Sequence, residues 1–411
     1  MATQVVTATG SGIALSNSVI SRYIENYLEA AMVVRLYDQL AMPIGQPMET
    51  LSRGADVTVP FLSDMDPGTS TISEVADVDA QTLRDAAATV TPTSRGEALQ
   101  ASEKLWIQGF TDYHAKMAQR VGKNMMETVD ALARNAATQG SLVLRNQSTS
   151  ARSTLNAGST GHRATRALFT KAASLIQSLK IPGFTDAQSG NAAWAAITNP
   201  WVYDDLLVDA GGILEVGQYQ KQEIILSNEL GSLGNFRLVV SPWAKIFMGA
   251  GADHANVVAT TLSTAANALA TSISVAASSS VHLGEWLTIG TEETAGTHQS
   301  KNERVRYVSS GSAGTTINIV GEGANGGLRF DHASATAVRN ADSAHTIVFG
   351  GPASLVKVFA PSIGEFGQIV GPKRDGKLDQ FLSLGWKWYG GYGRIRENGL
   401  VRAEVSVSAE A

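Results

Sequence analysis

The residues best suited to chemistry are few, and their spacing serves it poorly. Gly321-Glu322-Gly323-Ala324-Asn325-Gly326 matches the GxGxxG spacing of a dinucleotide loop, where a helix N-terminus receives a pyrophosphate. The following LRFDHAS has no helical period, so the stretch reads as a glycine-rich turn between β segments. Seven histidines, His114, His162, His254, His282, His298, His332 and His345, are scattered without metal-ligand spacing. His332 beside Asp331 has the makings of an acid–base pair, but no nucleophile is placed with it, and a local turn pair is the simpler reading. The carboxylates from Asp64 to Asp85 lack the alternating register of a calcium loop and read as a solvated or partner-facing loop. Asn146-Gln147-Ser148 has the form of a glycosylation acceptor, but nothing else indicates secretion. Trp386, Trp388, Tyr389 and Tyr392 lie among glycines with few flanking charges, which favours strand packing over base stacking. There is no phosphate-binding GxxxxGK[ST] loop, HExxH or GxSxG. With no cysteine, thiolates, disulfides and Cys-ligated metals are excluded. The expectation is a protein without catalytic centre, cofactor or metal.

The element that must organise such a chain is the stretch from Asp112 to Ala137. Ala118, Val121, Met125, Val129, Leu132 and Ala136 recur at spacings of three and four, one face of a helix. Thr111 or Asp112 is suited to cap its start and Gly140 to end it. At about 1.5 Å per residue the rod is about 39 Å long. Gly122 weakens its intrinsic propensity, so packing must stabilise it. A second helical pattern begins at Asn17, with Ile20, Tyr23, Ile24, Tyr27, Leu28 and Ala31 on one face, and is expected to run until Pro43 and Pro47 end it.

GADVTVPFL, from Gly54 to Leu62, alternates as a strand, and AATVTPTSRGEALQAS provides a second extended segment. The long polar excursion between them describes a protruding hairpin, and loops of that length usually have a function. ATRALFTKAASLIQSLKI and NPWVYDDLLVD predict helices, the latter with Pro200 in its first turn. FRLVVSP predicts a buried strand. From about 259 to 339 the chain turns Ala/Ser/Thr/Gly-rich, with strand-like runs TSISVA, GEWLTIG, ERVRYVSS and TTINIV, a compact all-β module inserted into a mixed α+β body. The closing WKWYGGYGRIRENGLVRAEVSV predicts two strands joined as a hairpin at Asn398-Gly399.

Composition narrows the functional classes. A 411-residue chain with 44% hydrophobic and 17% charged residues can build a real core. No run of 18 apolar residues offers a membrane span, and MATQVVTATGSG lacks the pattern of a secretion signal. A net charge of −5 argues against tight sequence-neutral DNA binding. Charge is unevenly placed: residues 51–100 hold three basic against eight acidic residues, and 101–180 hold eleven against four. Blocks of opposite sign attract, within or between subunits.

Three stretches carry a resemblance: LYDQLAMP followed by RGADVTVPFL; GGLRFDHASATAV followed by HTIVFGGPASLVKV; and LGWKWYGGYGRIRENGLVRAEV. In these, and in the order of its parts, the chain resembles the major capsid (coat) proteins of tailed double-stranded-DNA bacteriophages, a fold shared with encapsulin shells. The resemblance implies an α+β fold with an N-terminal arm at 1–45, an extended β-hairpin loop at 46–105 and a peripheral domain with the spine helix at 106–189. It further implies an axial domain at 190–258 and 340–385 interrupted by the β insertion at 259–339, and C-terminal strands at 386–411 returning to the periphery. The implied function is a virion protein, assembled in the host cytoplasm, that forms hexamers and pentamers of itself in an icosahedral shell. Its implied partners are scaffolding, portal and decoration proteins, with packaged DNA held only non-specifically and no membrane. The opposed charge blocks add an expectation about contact: Asp64, Asp66, Asp77 and Asp79 of the loop face Lys116, Arg120, Lys123 and Arg134 on an adjacent subunit's spine. An encapsulin-like compartment, a tail or decoration protein, and a glycan-binding protein or hydrolase built on the β insertion are the other functions considered.

Overall fold

The structure is a computed structural model that describes residues 36–45, 56–62, 65, 67–69, 71, 82, 85–104, 113–146, 151–185, 192–209, 214–215, 229–252, 260–277, 284–290, 301–310, 315–375, 378 and 380–410. In chain order the strands and helices begin with β1 (Ala41–Gly45), β2 (Val57–Leu62), β3 (Asp85–Val90), β4 (Thr93–Ser102), helix α1 (Tyr113–Thr138), β5 (Val143–Arg145) and α2 (Arg166–Ser178). Then come β6 (Phe184–Thr185), β7 (Ala192–Thr198), α3 (Pro200–Val208), β8 (Leu214–Glu215), β9 (Glu229–Leu233), β10 (Phe236–Val240) and β11 (Ile246–Phe247). The inserted region holds β12 (Thr260–Thr261), β13 (Ser272–Ser274), β14 (Trp286–Ile289), β15 (Glu303–Ser310), β16 (Thr316–Gly321) and β17 (Ala337–Arg339). The chain closes with β18 (Ala344–Gly350), β19 (Leu355–Phe359), β20 (Gln368–Asp375), β21 (Phe381–Arg394) and β22 (Leu400–Val405).

The central sheet runs β5-β22-β18-β7-β10-β9-β8, with β18 buried along its whole length. On one face lies α2, whose Leu168, Phe169, Ala172 and Ile176 pack on Trp194, Phe236, Ile347, Phe349 and Val401. Phe169, Phe236 and Phe349 meet at centroid distances of 4.7 to 5.7 Å, two of the three pairs edge-on, a geometry that aromatic rings prefer. Thr165 caps α2 by accepting from the Leu168 N–H, and Asn199 caps α3 from Val202 with Pro200 in the first turn. A second sheet, β1-β19-β21-β20 with β4 on β21, stands beside the first.

Helix α1 spans both sheets. Its N-terminal two-thirds bury Met117, Val121, Met125 and Val129 against Leu384, Trp386 and Trp388 of β21. Its last turns place Ala133, Ala136 and Ala137 in the cluster on the other face of the central sheet, with Ile197, Val239, Val348 and Leu400. Small residues there let the helix approach closely, while the bulkier part fills the wider gap over β21. The glycines of β21 have their own cause. A Cβ on Gly390 would sit 2.5 Å from the Val358 carbonyl oxygen, and one on Gly393 2.4 Å from Val90.

The inserted region forms the sheet β12-β17-β14-β15-β16-β13. A bridge between Leu262 and Val275, with Ser263 N–H donating to Ser274 O at 2.9 Å, joins its two outer strands into a closed barrel. Leu262, Ile273, Val275, Leu287, Ile289, Val305, Ile317 and Val338 fill it, all contributed by the insertion itself. Closure removes free edges.

Two expectations are corrected. Asn398-Gly399 does not turn a hairpin: Glu397–Gly399 is a 3-10 turn in which neither Asn398 nor Gly399 takes the left-handed φ that a tight hairpin requires. It passes the chain from one sheet to the other, since β21 pairs with β4, β19 and β20 whereas β22 pairs with β18 and β5. The N-terminal helix does not continue to Pro43: Asp38–Leu40 is a 3-10 turn, and Ala41–Gly45 is a strand parallel to β19, with Pro43 in register with Lys357. The Asp130 carboxylate accepts from the Tyr37 and Asp38 N–H groups and holds the chain in this turn. The rest of that helical pattern, from Asn17 to residue 35, and the helix-cap candidates Thr111 and Asp112 lie outside the described residues. The hairpin strands are found as β2 and β3, paired antiparallel from Val57–Val90 to Leu62–Asp85.

Trp388 is fully buried beneath α1, and its indole N–H donates to Glu365 O. Trp388→Ala is expected to cost about 3–5 kcal/mol and to lower the thermal midpoint measured by calorimetry.

Candidate assembly surface

The outward side of α1 carries charge. Lys116 lies in the first turn, four residues before Arg120, which is exposed. Lys123 reaches Glu127 at 3.9 Å, a helical i,i+4 pair. Burial pushes the Glu127 carboxyl upward, opposed by Lys123, Arg329 and Arg120. Arg134 is different. It is buried, and its guanidinium donates to Trp243 O at 2.8 Å and to Asn135 Oδ1. The four expected cations therefore divide, and Arg134 is engaged inside its own subunit. Their expected partners Asp64, Asp66, Asp77 and Asp79 lie outside the described residues.

Beside this face runs a groove. Its walls are β4 (Glu97, Ala98, Leu99) and α1 (Arg120, Val121, Asn124), and Trp386 forms the floor; it encloses about 260 Å³. Trp386 and Val121 are buried, whereas Leu99 is 44% exposed. The Trp386 indole N–H donates to Asn124 Oδ1 at 2.8 Å, which fixes the floor. Among the described residues β4 pairs only with β21, and most of its side chains are exposed. A long exposed edge strand is a usual site of contact with another chain.

Behind this surface, buried charges lock the frame. Asp130, in the second half of α1, is pushed up to about 6 by burial, against the pull of the Tyr37 and Asp38 N–H groups. Asp38 in turn meets Lys357 Nζ at 3.0 Å and the Tyr392 hydroxyl at 2.6 Å, and Lys357 also reaches Glu365 at 3.2 Å. Glu404 on β22 gathers Arg145, Arg152 and Arg402 at 2.6, 2.7 and 3.1 Å. Burial opposes its ionisation, but these arginines outweigh burial and hold the carboxyl below its ordinary value. Glu410 meets Arg304 of the barrel at 2.6 Å and His345 of β18 at 2.8 Å. Against burial, His345 and Arg304 hold its carboxyl down at about 2. The neighbouring Ala409 carbonyl accepts from the Trp286 indole N–H, so the chain's last turn clasps barrel to central sheet.

His332 pairs with Glu303 at 2.6 Å, while Asp331 accepts from the Ala268 N–H, so the adjacent pair in sequence is not a pair in space. The glycine-rich motif is a 3-10 turn at Ala324–Gly326. Asn146 spends its amide on Arg163 O and Thr165 Oγ1. Among the described residues no group of acids and histidines could hold a metal, and no helix is long and apolar enough to cross a membrane. Sequence reasoning missed Glu303, Glu404, Glu410 and Asp130. The one available signal was charge alternating inside the strand LVRAEV, where Arg402 and Glu404 share a face of a wholly buried strand.

No known family's sequence profile matches the chain, and no curated protein matches it. Solved structures do. A chain of the capsid of Ralstonia phage GP4 superposes with a TM-score of 0.52 and 12% identity, over 99% of this chain and 95% of that one. The capsid of cyanophage P-SCSP1u gives 0.51 at 10% identity over 97% and 96%. The cyanophage Pam1 capsid gives 0.50 at 11% identity over 99% and 100%. At such identities the likeness is one of fold, and the α+β phage capsid-protein fold expected from the sequence is the fold found.

Two carboxylates give opposite pH signatures. The native state binds the Asp130 proton more tightly than the unfolded chain does, so its stabilising contribution is full below about pH 3.8 and is lost as pH rises through about 6. Asp130→Asn keeps an acceptor for Tyr37 and is expected to flatten the stability curve across that window, read by thermal melts. The Glu410 contribution is full above about pH 4.5 and is lost as pH falls towards about 2. Glu410→Gln should lower stability at pH 7 and leave a smaller loss on acidification, measured by denaturant titration.

Proposed function

We propose that this chain is a major capsid protein that assembles into an icosahedral shell around packaged double-stranded DNA. One observation carries the reading: the likeness to phage capsid chains runs over nearly the whole of both chains, not over one module. The physical design agrees. A rod of 26 residues braced on two sheets makes a stiff plate, and its exposed edge strand and charged helix face are surfaces that many copies can share. Repeated weak contacts add up to a strong shell. A net charge of −5 keeps the container from gripping its polyanionic cargo.

In this reading the chain divides as the sequence resemblance implies, with the arm, the loop and the peripheral domain making most contacts between subunits. The protein is a structural component of the virion, assembled in the host cytoplasm into hexamers and pentamers with scaffolding, portal and decoration proteins. The acidic loop, with Asp64, Asp66, Asp77 and Asp79, lies across Lys116, Arg120 and Lys123 of an adjacent spine helix. Arg134 leaves that set because its guanidinium is engaged internally.

Negative-stain electron microscopy of the purified full chain, with light scattering for mass, is the test. Closed shells or capsomer rings are expected, alone or with a scaffolding partner. A chain that stays monomeric with every candidate scaffold supplied would overturn the reading, and shells that enclose protein in place of DNA would move it to an encapsulin-like compartment.

A further inference from the structure

We infer that Met65 of one subunit seats in the groove between β4 and α1 of a second copy of this chain. The inference rests on the capsid reading and names the residue contact within it. Three observations converge. The groove has an apolar floor and wall (Trp386, Val121, Leu99), and Leu99 is 44% exposed beside it. Met65 is 65% exposed, so it does not fill the groove of its own subunit, and it stands in the excursion between β2 and β3. Its sequence neighbours are Asp64 and Asp66, whereas the helix side of the groove presents Arg120, with Lys116 and Lys123 one turn to either side.

The chemistry fits a plug. Methionine is unbranched and polarisable, fills irregular apolar gaps, and makes favourable contacts with aromatic rings, here the Trp386 indole. The flanking carboxylates set its direction: they are drawn to Arg120 on the helix side and repelled by Glu97 on the strand side. The occupant is a second copy because the charge complement lies in this same chain.

The absence of cysteine makes the test clean. Met65→Cys with Leu99→Cys is assembled into shells, oxidised or bridged with a short bismaleimide, and run on a denaturing gel. The expected result is a ladder of covalent multimers from the double variant and none from either single variant. Separately, Met65→Asp should raise the protein concentration needed for assembly by about tenfold or more, with Met65→Leu close to wild type and all monomers equally folded by circular dichroism. Shells that form with no ladder, and with no effect of Met65→Asp, overturn the contact and leave the capsid reading standing. Absence of shells or rings under every condition overturns both.

Discussion

The whole molecule depends on the burial of one face of one helix against two different sheets. α1 has a glycine at position 122 and a polar outer side, so it is not held by propensity; Met117, Val121, Met125 and Val129 on β21, and Ala133, Ala136 and Ala137 on the central sheet, hold it. Because one rigid rod lies across both, the sheets cannot rotate independently without exposing that face. Chain connectivity repeats the constraint. β21 and β22 are consecutive in sequence and lie in different sheets, joined by only five residues, 395–399, that include the 3-10 turn Glu397–Gly399.

Buried ionic groups finish the frame where apolar packing lacks direction. Paired charges in low dielectric contribute little net stability, since desolvation offsets most of the attraction, but a misplaced partner is costly. The Glu404 cluster therefore fixes how β22 meets β5 and the segment around Arg152, and the Asp130 and Lys357 contacts fix where the N-terminal strand joins the spine. With Arg134, Lys357 and Arg402 engaged internally, Arg120 on the first half of α1 stays exposed beside the groove.

The barrel is a contrast. Its core comes entirely from residues 262–338, and its closed sheet leaves it attached by a few specific contacts, chiefly Arg304 to Glu410 and Trp286 to Ala409. A module that completes its own core can be inserted into a fold without disturbing it, which accounts for an interruption as long as this one in the middle of a sheet-forming segment.

Local pattern was sufficient wherever one physical period decides the outcome. The spacing of α1, the proline in the first turn of α3, the alternation of β2, and the short strands of the insertion were all legible, because each depends on near neighbours in the chain. The order of these parts also carried enough to point to the capsid-protein fold. Other features were decided only in three dimensions. Asn398-Gly399 has the composition of a hairpin turn, but the pairing of its flanking strands with separate partners overrode it. The helical pattern before Pro43 yields to a strand because β19 offers a parallel edge and Asp130, 93 residues away from Tyr37, supplies the cap. The same holds for charge: Arg134 and Arg120 look alike in a linear count, but only the fold buries one and exposes the other. Sequence determined the elements, since these rest on local sterics and periodicity; tertiary structure decided which ends meet and which charges face outward, since these rest on contacts between residues hundreds of positions apart.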